Sequence, residues 1–447
     1  MYDLIVIGAG PGGYEAAAYA AKMGKKVALI EKEELGGTCL NVGCIPTKTL
    51  LRSAKTLEEC REAAAYGITT AEPKLDMKAV QARKQKVIAT LIKGVAGLEK
   101  KAGVEVIKGV AKIAGRGKVT VGDKTLETAN ILIATGSVPA CPPIPGLRDN
   151  PKVLDSTGAL ALDVIPEKLA IIGGGVIGLE FASFFATCGT KVSIVEMLPK
   201  IAPVVDGEIA KKLMAELKKK GIEFNLSCKV TKIEGSTLFF LDEQGAEHQI
   251  AADYVLSAIG RSPVLKDLGL EEAGVVFDRK GIKTDEFGKT NVPGIWACGD
   301  CTGRCLLAHA ATREGMVAVN NMFGKPDRMR YNAVPSVIYT HPEVAQVGAT
   351  EETLQKEGIA YKKAVLPMAI AGRFMVDNEG QSGTVKVLTD AKYNTVLGVH
   401  MIGGCCGEFI ASATAMVEGE QRVDDIRPII FPHPTNSEAL KSAVTEL

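Results

Sequence analysis

No apolar run in this chain reaches the roughly 18 residues that a membrane-spanning helix needs, so no membrane partner is expected. There is no excess of charge either. The 53 basic and 52 acidic residues leave a net charge of +1, which excludes a broad nucleic-acid surface or an acidic tail. Lysine clusters such as Lys218-Lys219-Lys220 have apolar residues behind them on a helical pattern and read as a solvated face. The N-terminus lacks the basic flank, apolar stretch and cleavage site of a secretory signal, and shows no Arg/Ser-rich transit segment. A cytoplasmic protein is therefore expected. In that setting the 11 cysteines should mostly be reduced thiols, and any disulfide points to catalysis rather than structure.

What the chain does have is length and apolar material. Its 447 residues, 46% of them hydrophobic, suggest about three domains with real cores. One device occurs twice. The apolar run 4–7 leads into Gly8-Ala9-Gly10-Pro11-Gly12-Gly13, an alanine-rich helix over 14–23, and a strand over 26–30 that ends at Glu31. Residues 169–172 lead into Gly173-Gly174-Gly175-Val176-Ile177-Gly178, a helix to about Cys188, and a strand over 191–195 that ends at Glu196. Glu31 and Glu196 each stand 18 positions after the third glycine, Gly13 and Gly178. Each copy fits a βαβ nucleotide-binding unit, in which the first Gly makes the tight turn and the second admits a pyrophosphate. The third lets helix and strand pack closely, and the helix N-terminus faces the phosphates. A single GxGxxG also occurs for packing alone; two complete copies leave little room for that reading.

The C-terminal third has no such fingerprint. Strand patterns at 334–347 and 383–401 and helix patterns at 350–357, 406–420 and 436–444 predict an α+β domain. Between, 104–136 alternates short β runs with Gly turns and ends in the apolar run closed by Thr135 and Gly136.

Cys39 and Cys44 lie five positions apart in GGTCLNVGCIPTK, residues 36–48. In an ideal helix their Cα atoms would be roughly 8–9 Å apart, beyond the ~7 Å limit for bridging. A disulfide here requires irregular backbone, which Asn41 and Gly43 can supply. Zinc is a competing use, but a second close Cys/His pair is missing, and two buried thiols remain the bland alternative.

This run resembles the redox signature of the two-cysteine flavoprotein disulfide reductases, within the pyridine nucleotide–disulfide oxidoreductase family, and its dihydrolipoamide dehydrogenase branch most closely. The resemblance spans essentially the whole chain. It implies an α/β fold with two Rossmann-like domains and a C-terminal α+β dimerisation domain. FAD would bind residues 1–145 and 265–333, NAD would bind 146–264, and 334–447 would form the interface of a homodimer. Gly8, Gly10, Gly13, Glu31, Thr135, Gly136 and Asp300 (in Ala297-Cys298-Gly299-Asp300) would then hold FAD. Gly173, Gly175, Gly178, Glu196 and Gly260 would hold NAD, with Glu196 favouring it over NADP because a carboxylate repels a 2′-phosphate. Cys39 and Cys44 would form the redox disulfide, Lys48 would sit beside the reactive nitrogen of the flavin, and Glu180 would pair with Lys48. A Glu near a helix start also complements the helix dipole, which is the alternative for Glu180.

In Phe431-Pro432-His433-Pro434-Thr435-Asn436-Ser437-Glu438 the resemblance makes His433 the catalytic base, contributed by the second subunit, and Glu438 its orienting acid. Relatives often carry a second His where this chain has Phe431. His341 fits a motif that opens the interface domain, a structural role. Cys405-Cys406, Cys301 and Cys305 read as buried thiols. The implied activity is oxidation of protein-bound dihydrolipoamide with NAD⁺, with the lipoyl-bearing protein a separate partner in a 2-oxo acid dehydrogenase or glycine cleavage complex. No resident metal is expected. The alternatives are a sibling NAD(P)H-dependent disulfide or mercuric reductase, or a noncatalytic flavin-binding assembly subunit.

Overall fold

The computed structural model describes residues 1–378 and 380–447. The chain folds as two compact units, one of Met1–Thr49, Gln81–Ala140 and Gly260–Met329, the other of Leu50–Val80, Cys141–Ile259 and Arg330–Leu447. The helices that carry or support the site are α1 (Pro11–Lys22), α2 (Gly37–Val42), α3 (Cys44–Arg61), α4 (Met77–Ala102), α5 (Val176–Thr187), α6 (Gly207–Lys219), α7 (Ala308–Met322), α8 (Glu351–Glu357), α9 (Cys406–Glu418) and α10 (Glu438–Thr445).

In the first unit, Tyr2–Ile7 is a central strand, paired in parallel with Val27–Glu31 on one side and Lys124–Ile133 on the other. Glu105–Lys108 extends the sheet beyond Val27–Glu31, and Ile295–Ala297 pairs with Lys124–Ile133. Leu4 to Ile7 are almost fully buried because helices and strands cover both faces, which is why this strand reads as an unbroken apolar run. Leu4, Val6, Val27, Leu29 and Leu132 pack toward Ala16, Ala17 and Ala20 of α1; Ile5, Ile7, Ile30, Ile131 and Ile133 face the opposite core.

The second unit repeats the device. Lys168–Ile172 is the centre of a parallel sheet, flanked by Lys191–Val195 and Tyr254–Ser257. Its C-terminal part is a five-stranded antiparallel sheet in the order Ser336–Ile338, Val344–Gly348, Val396–Ile402, Thr384–Asp390, Tyr361–Pro367. α9 and α10 pack on it through Ile410, Ala413, Met416, Leu440 and Val444. The fold class expected from the sequence holds: mixed α/β, with two βαβ units and a C-terminal α+β part.

Three local expectations shift. α1 begins at Pro11 rather than at residue 14, because Gly12 and Gly13 join the first turn behind a proline at N1. The last helix begins at Glu438 rather than 436, because residues 435–437 are taken up in a turn. Asn41 does not break the backbone near the cysteines. It stays helical, and its Nδ2 donates to the carbonyls of Leu35 and Gly37 at 3.1 and 2.9 Å.

Candidate functional site

Both fingerprint turns use their glycines alike. A Cβ on Gly13 would lie 1.9 Å from the Gly8 carbonyl oxygen, and one on Gly178 would lie 2.1 Å from that of Gly173. Gly8 (φ +101°) and Gly173 (φ +105°) both take positive φ, and a Cβ on either would meet a backbone oxygen, of Ala134 or Ala258, at 2.5 Å. These four are fixed by packing. The middle glycines differ: a Cβ on Gly10 or Gly175 would meet nothing within 4 Å.

Gly10 and Gly175 are also the N-caps of α1 and α5, and neither helix has a side-chain cap or an acidic residue in its first turn. By contrast, α6 is capped by the Asp206 side chain. The open face and the uncapped N–H groups suit a dinucleotide pyrophosphate. Glu31 and Glu196 complete each turn. Glu31 Oε2 accepts from Ala9 N at 2.7 Å and Oε1 from Glu33 N at 2.7 Å. Glu196 Oε2 accepts from Gly174 N at 2.6 Å and Oε1 from Leu198 N at 2.8 Å. Each oxygen keeps a lone pair for a ribose hydroxyl.

The cysteine segment is seated on the first of these turns. Gly36 N donates to Ala9 O at 2.8 Å, and Gly37 (φ +57°) lies so near Gly10 that a Cβ would be 2.6 Å from its Cα. α2 carries Cys39 and α3 starts at Cys44, with Gly43 (φ −141°, ψ −115°) between them as the break. Both cysteines are thiols here, and their side chains share a hydrogen bond. That bond raises the Cys39 pKa above its ordinary value, and burial adds to the effect while the Lys48 charge opposes it. Lys48 is one turn along α3 from Cys44, so the two share a helix face.

The rest of the expected FAD set lies on the same unit. Thr135 Oγ1 donates to Val264 O at 2.8 Å, and Gly136 (φ +69°) turns the chain into the strand Ser137–Pro139. Gly260 (φ +111°), expected in the NAD set, belongs to this first unit while Gly173, Gly175, Gly178 and Glu196 belong to the second; its carbonyl accepts from Ala140 N and it precedes Arg261. Asp300 lies in the short turn Gly299–Thr302, where its Oδ2 accepts from Ser137 Oγ at 2.5 Å. Arg261 Nε donates to the same Ser137 Oγ at 2.7 Å and stands 3.9 Å from Asp300. Buried Glu314 of α7 accepts from Gly299 N at 2.5 Å and so fixes that turn. Ser137, Arg261 and Glu314 escaped the sequence reading because no motif brackets them; they were visible only as polar residues in apolar surroundings.

On the second unit, Glu180 is buried in the second turn of α5 and accepts from Tyr339 N at 3.0 Å. A buried carboxylate with that partner is more than a complement to the helix dipole. His433 is 78% exposed and its Nδ1 lies 2.9 Å from Glu438 Oε1, while Glu438 Oε2 accepts from Thr435 N at 2.9 Å. The Thr435 N–H and then the imidazole hold the Glu438 carboxyl below the usual range. His341 is bonded to Gln381 at 3.1 Å, and burial, with the charge of Lys220, lowers its pKa to about 4, so it is neutral near pH 7.

Burial pushes Cys301 up to about 12 and Cys305 to about 11, and it raises Cys298 and Cys406 well above the ordinary range. These thiols pack rather than react. Cys405 differs, since its sulfur takes a hydrogen bond from Asn436 at 3.2 Å. Among the described residues no three His, Cys, Asp or Glu side chains converge as a metal site, and no helix is long and apolar enough to cross a membrane.

Residues 2–315 match the pyridine nucleotide-disulphide oxidoreductase model, and 334–444 match the dimerisation domain of the same family. The chain belongs to that family. Dihydrolipoyl dehydrogenase 3 of Pseudomonas aeruginosa is 42% identical over 460 residues, covering 100% of this chain and 98% of that protein. The mitochondrial dihydrolipoyl dehydrogenase of Homo sapiens is 41% identical, covering 99% of this chain and 89% of that one. Among solved structures, the HOCl-induced flavoprotein disulfide reductase RclA from Escherichia coli matches with a TM-score of 0.87 at 31% identity, over 99% of each chain. LpdA from Mycobacterium tuberculosis matches with a TM-score of 0.91 at 26% identity, again over 99% of each.

Proposed function

We propose that this chain is an NAD-dependent, FAD-containing dihydrolipoyl dehydrogenase. It would oxidise dihydrolipoamide carried on a separate lipoyl-bearing protein of a 2-oxo acid dehydrogenase or glycine cleavage complex. The observation that carries the reading is the seating of Gly36 and Gly37 on Ala9 and Gly10, which ties the Cys39–Cys44 pair to the turn that would hold the FAD pyrophosphate. Residues 1–145 and 265–333 form the FAD domain, 146–264 the NAD domain, and 334–447 the interface of a cytoplasmic homodimer.

The catalytic cycle starts from the closed Cys39–Cys44 disulfide. His433 of one subunit takes a proton from a substrate thiol at Nε2, while Glu438 holds Nδ1 and stabilises the imidazolium. The substrate thiolate attacks Cys39, the Cys39–Cys44 bond breaks, and Cys44 leaves as a thiolate. The second substrate thiol then attacks the mixed disulfide; lipoamide departs, and Cys39 is left protonated. The raised Cys39 pKa, caused first by the shared hydrogen bond, fits Cys39 as the protonated member at this stage. FAD and NAD, when bound, supply transfer of the electron pair from the dithiol to nicotinamide as hydride. Lys48 stabilises charge beside the flavin, and Glu196 selects NAD by accepting its ribose hydroxyls.

The likeness to RclA supports a second reading, a sibling reductase acting on another disulfide or a metal ion. The purified flavoprotein, given free dihydrolipoamide, should reduce NAD⁺ well and NADP⁺ poorly, and Cys44→Ser should abolish turnover. Failure with both nucleotides would sink the first reading, and rapid NADPH-driven turnover of glutathione disulfide or a metal ion would favour the second.

A further inference from the structure

The turn that bears His433 is braced internally. Thr435 Oγ1 donates to Pro432 O at 2.8 Å and lies 2.8 Å from Ser437 Oγ, and Glu438 binds both His433 Nδ1 and Thr435 N. One residue of the turn reaches outward. Asn436 is 8% exposed, and its Nδ2 lies 3.2 Å from Cys405 Sγ, 31 positions earlier in the chain. Its other amide atom, Oδ1, is buried with no partner among the described residues. The sulfur contact is thus what holds the Asn436 side chain in place.

Cys405 stands on a firm base. It is the residue before α9, whose first residue, Cys406, is fully buried. Gly407 N donates to Glu343 Oε2 at 3.1 Å, and Gly403 N to Glu343 O at 2.9 Å, so the strand Val344–Gly348 and the start of α9 are tied on both sides of Cys405. Arg373 lies within electrostatic reach of the same sulfur.

We propose that Cys405 and Asn436 are positioning residues for the His433–Glu438 pair. The amide–sulfur contact fixes the backbone of 435–437 against the start of α9, and that backbone sets the distance between Glu438 and the imidazole. Without the contact, a buried amide would have no side-chain partner at either end, and the turn would shift to hydrate it. Glu438 would then move off Nδ1, and His433 would lose the carboxylate that stabilises its charged form.

The inference rests on His433 acting as the base, so the test keeps the two apart. Full-length, FAD-loaded Cys405→Ala, Cys405→Ser, Asn436→Ala and His433→Gln would be assayed with dihydrolipoamide and NAD⁺ across pH. Cys405→Ala and Asn436→Ala should each lower kcat by about three- to tenfold, the range one net hydrogen bond spans, with KM nearly unchanged. The acid limb of kcat/KM should move to lower pH, because an imidazole that has lost its carboxylate holds its proton less tightly. Cys405→Ser, whose hydroxyl also accepts from an amide, should recover most of the rate. Wild-type kcat and pH profile in both alanine variants, or equal losses in Cys405→Ser and Cys405→Ala, would overturn the proposal while His433→Gln remains inactive. Full activity in His433→Gln would overturn the base assignment itself, and the proposal with it.

Discussion

Glu99 offers a measurable test of how the first unit treats buried charge. It lies on α4, one turn beyond Val95, which packs with Ile88 and Ile92 against Tyr14, Leu35 and Leu40. The side chain is fully buried, and neither carboxylate oxygen has a partner among the described residues. Burial, reinforced by the neighbouring Glu15 carboxylate and opposed by Lys22, pushes its pKa from 4.5 to about 8. The folded state therefore holds a proton that the unfolded chain has given up. Its stability contribution is complete below pH 4.5, declines as the pH rises toward 8, and falls no further above that.

At about 1.4 kcal/mol per unit, moving from pH 5.5 to 7.5 should cost the wild type about 3 kcal/mol through this group alone. Glu99→Gln removes the titration. Any fixed cost of the unpaired amide is the same at both pH values and cancels in the comparison. Urea unfolding of the two proteins across this window should show Glu99→Gln gaining about 3 kcal/mol on the wild type at pH 7.5 relative to pH 5.5. Parallel profiles would refute the assignment of a buried, protonated carboxyl.

Two further outcomes follow from the geometry. Gly175→Ala, whose methyl enters open space, should leave the melting temperature intact while weakening NAD binding, whereas Gly178→Ala, with its methyl 2.1 Å from a backbone oxygen, should fold poorly; calorimetry and nucleotide titration separate the two. Lys386 is 1% exposed and binds both oxygens of fully buried Asp206 at 2.9 Å, so Lys386→Met should destabilise the protein by about 3–5 kcal/mol. Adding Asp206→Asn, which keeps an acceptor for the α6 cap, should recover part of that loss, and no recovery in the double variant would count against a true ion pair.

The nucleotide turns were legible because their spacing encodes local backbone geometry. Gly8, Gly13, Gly173 and Gly178 sit where no side chain fits, and that requirement is written within a few residues. The break between Cys39 and Cys44 was legible for the same reason, although Gly43 alone supplies it and Asn41 remains helical. Contacts between distant segments were not. Nothing local announces that Glu314 holds Gly299, that Lys386 meets Asp206 across 180 positions, or that Cys405 touches Asn436. Reading Cys405 and Cys406 alike as packing thiols fits only the second, because one faces the core and the other a polar turn. Such pairings depend on how sheets and helices stack, which periodicity does not record.

The twin carboxylates have a consequence for anyone seeking to change the cofactor. Glu196, proposed above to bind the NAD ribose, is also the acceptor for Gly174 N and Leu198 N, so it helps shape the turn. Exchanging it for an apolar or basic residue to admit a 2′-phosphate would leave two N–H groups, one of them within the fingerprint, without an acceptor. Nucleotide choice and loop integrity are thus inherited together. A successful redesign would have to install a replacement acceptor for the backbone before it installs a new charge.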